Sequence, residues 1–139
     1  MGNNRHIKKL LDSKKSQSNL IAEQLQVSAE EKYKAKANIL NKINSPKDLK
    51  KLKIEELQAL AQNIRDKIIE TVSKTGGHLG GPLGAVELTL AAHYIFNAPN
   101  DKIVIDTGHQ CYPHKLVTGR KDNFHTLRQY KGVCGFCNI

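Results

Sequence analysis

No apolar run in this 139-residue chain approaches the roughly 18 residues that a membrane-spanning helix needs, and its N-terminus lacks the apolar core of a secretory signal. A soluble protein is expected, in a bacterial cytoplasm, with a plastid left open. A transit peptide would be basic and poor in acids, whereas Asp12, Glu23, Glu30 and Glu31 all fall early in the chain. Cysteine is sparse and odd in number, at Cys111, Cys134 and Cys137. Without a secretory context these read as reduced thiols. Cys134-Gly135-Phe136-Cys137 spells C-x-x-C. As half a zinc site it would need two more ligands, with His125, His109 or His114 as nominees; as a redox pair it should open a helix after a strand. Ordinary buried or loop thiols are the expectation. There is no internal repeat and no low-complexity tract.

What is present begins with charge. Residues 1–53 carry 13 Lys and Arg against 5 Asp and Glu, a net of +8, while residues 54–139 carry 9 against 8, a net of +1. A basic arm of this kind attracts polyanions, so a non-catalytic binding protein using its N-terminal arm is one alternative. Lysine is interleaved with glutamate there and no aromatic cluster accompanies it, which favours a solvated helical extension over a nucleic-acid surface.

Helical spacing dominates. Asn19 to Gln26 reads as a short helix, and the capping box Ser28-Ala29-Glu30-Glu31 opens another to about Ile43, with Tyr33, Ala37, Leu40 and Ile43 on one face. Ser45-Pro46-Lys47-Asp48 is a stop and restart, with Ser as N-cap, Pro at the first helical position and an acid in the first turn. Ile54, Leu57, Leu60, Ala61, Ile64, Ile68 and Val72 then repeat by threes and fours until Gly76-Gly77. Gly84 to Phe96 reads as a helix apolar nearly all round, which implies burial on several sides within a larger body. After the turn at Asn97-Ala98-Pro99-Asn100, Ile103-Val104-Ile105 suits a strand buried in a parallel sheet. Gln110 to Val117 and Phe124 to Gln129 are expected as short helices.

Two histidine segments carry the site chemistry. Thr75-Gly76-Gly77-His78-Leu79-Gly80 runs on to Gly84-Ala85-Val86-Glu87-Leu88-Thr89, and about thirty residues on comes Asp106-Thr107-Gly108-His109-Gln110-Cys111-Tyr112-Pro113-His114-Lys115. Each sets an imidazole beside glycines, where the backbone approaches a ligand closely and a ring can move protons or donate to an anion. For His6, His93 and His125 a structural role is expected instead. Asp106-Thr107-Gly108 alone also spells an aspartic-protease triplet, but that enzyme class needs a β-rich chain.

With Leu116-Val117-Thr118-Gly119-Arg120 and Thr126-Leu127-Arg128-Gln129, these words closely resemble the opening part of the 1-deoxy-D-xylulose-5-phosphate synthase family, from about Ser45 to Gly135. The family belongs to the transketolase superfamily and uses thiamine diphosphate. The resemblance implies an α/β fold, the start of a thiamine diphosphate-binding parallel-sheet domain that is mostly helical in the part present. Residues 1–44 would be a basic helical extension and residues 45–139 the incomplete diphosphate-binding domain. It implies a transferase that condenses pyruvate with D-glyceraldehyde 3-phosphate with loss of CO₂, as a homodimer, at the head of non-mevalonate isoprenoid, thiamine and pyridoxal biosynthesis. By the same resemblance His78 is catalytic, in proton transfer, and His109 contacts the cofactor. His114 and Lys115 match the family without a clear role, and Arg120 and Arg128 are weak candidates for a substrate phosphate. Glu87 is expected to be a helix residue with a structural partner, because the family's cofactor-activating glutamate comes from a later domain.

The chain departs from the pattern at Ile105, usually aromatic, at Cys111, commonly Ala, and at Gly81-Pro82, often Ser-rich. No Gly-Asp-Gly with a downstream Asn occurs, so the Mg²⁺ ligands of the family are not in this chain, and no metal-binding residue is assigned. The chain alone is expected to be inactive.

Overall fold

The computed structural model describes residues 38–137 together with Ser16, Gln17 and Leu20. The chain divides into two compact units, Met1–Ala37 and Asn38–Ile139. The helices expected at residues 19–26 and 28–37 lie outside the described residues, apart from Leu20. Among the described residues no helix is long and apolar enough to cross a membrane.

The second unit is built around one long helix. Five α-helices are described here: α1 (Pro46–Leu49), α2 (Ile54–Thr75), α3 (Gly80–Gly84), α4 (Val86–Ile95) and α5 (Tyr112–Val117). Short 3-10 turns lie at Ile39–Lys42, Gly108–Cys111 and Phe124–Thr126. The first of these turns replaces the end of the helix expected to reach Ile43, although Leu40 and Ile43 are buried as their spacing required.

Helix α2 starts where the Lys53 amide donates to the Glu56 carboxylate at 2.8 Å, and it ends at Gly76, whose φ of 72° is a conformation that favours glycine. Its buried face is Leu60, Ala61, Ile64, Ile68 and Val72, the predicted stripe, while Ile54 at the N-terminus stays exposed. That face meets Leu49, Tyr112, Leu116, Phe124 and Leu127 in one core. Burying each large aliphatic contributes about 1.5–3 kcal/mol, so α2 is the element on which the others assemble. Helix α1 begins as the sequence indicates: the Asp48 carboxylate accepts from the amides of Asn44 and Ser45, both at 3.1 Å, and from Lys51 Nζ at 2.9 Å. Lys121 closes the turn before it, its Nζ donating to the carbonyls of Leu40, Asn41 and Ile43.

Two expectations come out differently. Helix α4 buries Val86, Leu90 and His93, but Leu88 is 74 % exposed and Ile95 66 %, so only one of its apolar sides is covered among the described residues. Ile103-Val104-Ile105 is not a strand here, and no strand occurs among the described residues. A strand exists only when its amides and carbonyls find a neighbouring ladder, and no described segment offers one. Val104 is accordingly 86 % exposed. The second unit is thus mostly helical, as expected for the part present.

Candidate functional site

The site forms where α2 ends and the Gly108–Cys111 turn begins. Gly77 has φ 144°, and a Cβ there would stand 2.9 Å from Tyr112 Oη, so only glycine lets the chain pass the buried start of α5. His78 follows directly, its amide 3.5 Å from that same hydroxyl, a long contact that orients more than it binds. A Cβ on Gly81, in α3, would fall 2.6 Å from His109 Nε2. The missing side chain is what admits the His109 ring. The result is a pair: the His78 and His109 ring centroids stand 4.7 Å apart with planes inclined by 36°. Phe136 closes one side, edge-on to His78 at 6.1 Å. His78 is exposed and His109 half-buried, so both rings face accessible space rather than a sealed core.

Other predicted residues take different places. Lys115 is buried, and its Nζ donates to the Phe136 carbonyl at 2.8 Å, which ties the 133–137 loop to α5. Arg128 lays its methylenes across Gly77 and Gly135, near His78. Arg120 lies elsewhere, donating to Thr118 Oγ1 at 2.5 Å. Glu87 has the structural partner expected of it: both its oxygens accept from Arg65, at 2.5 and 2.6 Å, and that hydrogen bond holds its carboxyl below the usual range. The Cys134–Cys137 segment lies in a loop and opens no helix, and no group of three or more His, Cys, Asp or Glu suited to a metal ion occurs among the described residues.

A second histidine pair had no signal in the sequence. His93 Nε2 and His114 Nδ1 are 2.8 Å apart with the rings stacked at 5.0 Å, and one of the two nitrogens must donate. Burial pushes both imidazoles down; for His114, burial first, then mutual repulsion with His93 when that ring is charged, and then Arg120 and Lys115 bring it to about 4. Both rings are therefore neutral near pH 7. His93 Nδ1 is buried and makes no hydrogen bond among the described residues. A histidine inside an apolar helix and another behind Pro113 share no sequence pattern, so only the packing of α4 on α5 brings them together.

Two cavities among the described residues are bordered by neither His78 nor His109. A cleft of about 790 Å³ is bordered by Ile103, Ile105, Cys111, His114, Lys115 and Cys137, and one of about 300 Å³ by His93, Asp106 and Gln110 among others. Both run along the unpaired 103–105 segment, whose uncovered flanks account for their apolar walls. The chemistry is better located by the glycine clearances, which bring two titratable rings together at a stated distance.

Residues 40–139 match the family described as 1-deoxy-D-xylulose-5-phosphate synthase. The 1-deoxy-D-xylulose-5-phosphate synthase of Halothermothrix orenii is 64% identical over 99 residues, covering 71% of this chain and 16% of the relative. That of Dictyoglomus turgidum is 63% identical over 98 residues, and that of Thermus thermophilus 57% over 101, each again with 16% of the relative covered. The chain thus spans about a sixth of the length of these curated relatives. On the family match across residues 40–139 and identities of this size, the chain belongs to the 1-deoxy-D-xylulose-5-phosphate synthase family.

Proposed function

We propose that residues 45–139 are the N-terminal part of a transketolase-like diphosphate-binding domain with a parallel sheet, in an enzyme that joins pyruvate to D-glyceraldehyde 3-phosphate with loss of CO₂. The product, 1-deoxy-D-xylulose 5-phosphate, feeds isoprenoid, thiamine and pyridoxal synthesis. The observation that carries this reading is the His78–His109 pair, 4.7 Å apart across a glycine that a Cβ would block. Thiamine diphosphate is supported by the His109 ring, which the Gly81 clearance seats beside the exposed His78. His109 would hold the cofactor through a ring nitrogen. Bound thiamine diphosphate supplies the electron sink that lets CO₂ leave. His78 gives and takes the proton at the aldehyde oxygen as the new carbon–carbon bond forms. Phe136 shields one side of that proton from water.

Mg²⁺ does not fit here: no ligand cluster occurs among the described residues, so no step runs through it. The working enzyme is a cytoplasmic homodimer whose remaining walls come from sequence beyond this chain, and the 139-residue chain alone makes no product. Product from the purified chain supplied with both substrates, thiamine diphosphate and Mg²⁺ would refute that last point. The catalytic reading is tested by exchanging the matching segment of the Halothermothrix orenii relative for residues 40–139 of this chain. Turnover near the parent level is expected. An inactive but folded chimera overturns it. The basic arm, with its net +8 over residues 1–53, supports one second reading, salt-dependent binding of a polyanion. Unchanged nucleic-acid binding after deletion of residues 1–44 would dismiss it.

A further inference from the structure

We propose that Cys111 and Cys137 are a disulfide-forming pair whose oxidation fastens Phe136 against His78. Cys111 is buried at the start of α5 and Cys137 is exposed on the 133–137 loop, yet both border one cleft, and Gly108 and Lys115, which flank Cys111 along the chain, both lie against the backbone of residues 136–137. The loop is already seated there. The Cys137 amide and the Phe136 ring lie within van der Waals reach of a Cβ on Gly108, and Lys115 Nζ holds the Phe136 carbonyl. Cys137 Sγ also lies 4.0 Å from the Ile105 carbonyl.

The division of labour follows from exposure. Cys137 meets solvent, so it reacts first with an oxidant such as a peroxide. Its thiolate attacks the peroxide, forming an S–O bond as the O–O bond breaks and hydroxide leaves with the thiol's proton as water. Cys111 sulfur then attacks the Cys137 sulfur, forming S–S while the S–O bond breaks and a second water leaves with the Cys111 proton. Two thiols lose two electrons and one peroxide becomes two waters. Burial pushes the Cys111 thiol up to about 11, so it resists oxidants on its own and acts only on an oxidised neighbour, beside the Lys115 ammonium that favours its thiolate. Cys134 is the natural competitor, because it shares the C-x-x-C with Cys137. It is exposed and does not border the cleft that holds the other two.

The pair stands independently of the proposed reaction, and so does its test. The reduced 139-residue chain is treated with hydrogen peroxide, alkylated, cleaved and mapped by mass spectrometry. The expected result is a Cys111–Cys137 link within one chain, lost in Cys137→Ser and kept in Cys134→Ser; both substitutions are at exposed positions and leave the core intact. In the linked chain, modification of His78 by diethyl pyrocarbonate should slow several-fold relative to exposed His125, and recover on reduction. A dominant Cys134–Cys137 or intermolecular link, no link at all, or an unchanged His78 rate in the linked chain overturns the proposal.

Discussion

At the scale of the residue, the site depends on two rings and the glycines that seat them. In the chimeric enzyme, His78→Ala should lower kcat/KM by roughly 10²–10⁴-fold, the range for loss of a positioned proton carrier, while circular dichroism stays unchanged. Gly81→Ala tests a different link. Its Cβ would enter within 2.6 Å of His109 Nε2, so the ring must swing away, and the concentration of thiamine diphosphate needed for half-maximal activity should rise at least several-fold. Equal saturation curves for Gly81→Ala and the parent would refute the role given to His109. The His93–His114 pair gives a pH signature. His114 has a folded value depressed from 6.5 to about 4, so the unfolded chain binds more protons between those limits and stability rises with pH across them. The contribution is complete above pH 6.5 and is lost as pH falls toward 4. Urea midpoints measured from pH 7 to 4.5 should therefore decline, and His114→Asn should flatten the slope; an unaltered slope would mean that other groups carry it. His78 and His109 were legible because glycines flank each ring in a known order of words. His93 and His114 were not, because their pairing depends on how two helices cross.

At the scale of the element, α2 carries the unit. Ile64→Ala, at a fully buried position, should cost about 2–5 kcal/mol, against a few tenths for Ile54→Ala at the exposed N-terminus. Comparable losses at the two sites would contradict the burial pattern. The start of α1 offers a smaller quantity. Hydrogen bonds from Lys51 and then the amides of Asn44 and Ser45 hold the Asp48 carboxyl at about 2, so its stabilisation is present above pH 3.8 and fades as pH falls through 2. Asp48→Ala should lose about 1 kcal/mol at pH 7, and less than that near pH 2. Both elements were legible because their determinants are local: a stripe at helical spacing, a serine, a proline and an acid in fixed order. The Ile39–Lys42 turn was less so, since the four contacts of Lys121 that close it come from some eighty residues away.

At the scale of the whole molecule, the telling segment is Ile103-Val104-Ile105. If it joins a parallel sheet in the longer enzyme, its amides should exchange with solvent rapidly in the 139-residue chain and become strongly protected in the chimera. Rapid exchange in both would remove the sheet from the proposed fold. The same holds for α4, whose Leu88 and Ile95 await a neighbour that the described residues do not provide. Composition, periodicity and word order sufficed for what local chemistry dictates: the long amphipathic helix, the proline-started turn, the glycine-flanked imidazoles and the family they indicate. Tertiary structure alone decided which distant groups meet, namely His78 with His109, His93 with His114, and Lys115 with the Phe136 carbonyl. The physical reason is that periodicity tells which face of a helix is buried, but not which partner it is buried against.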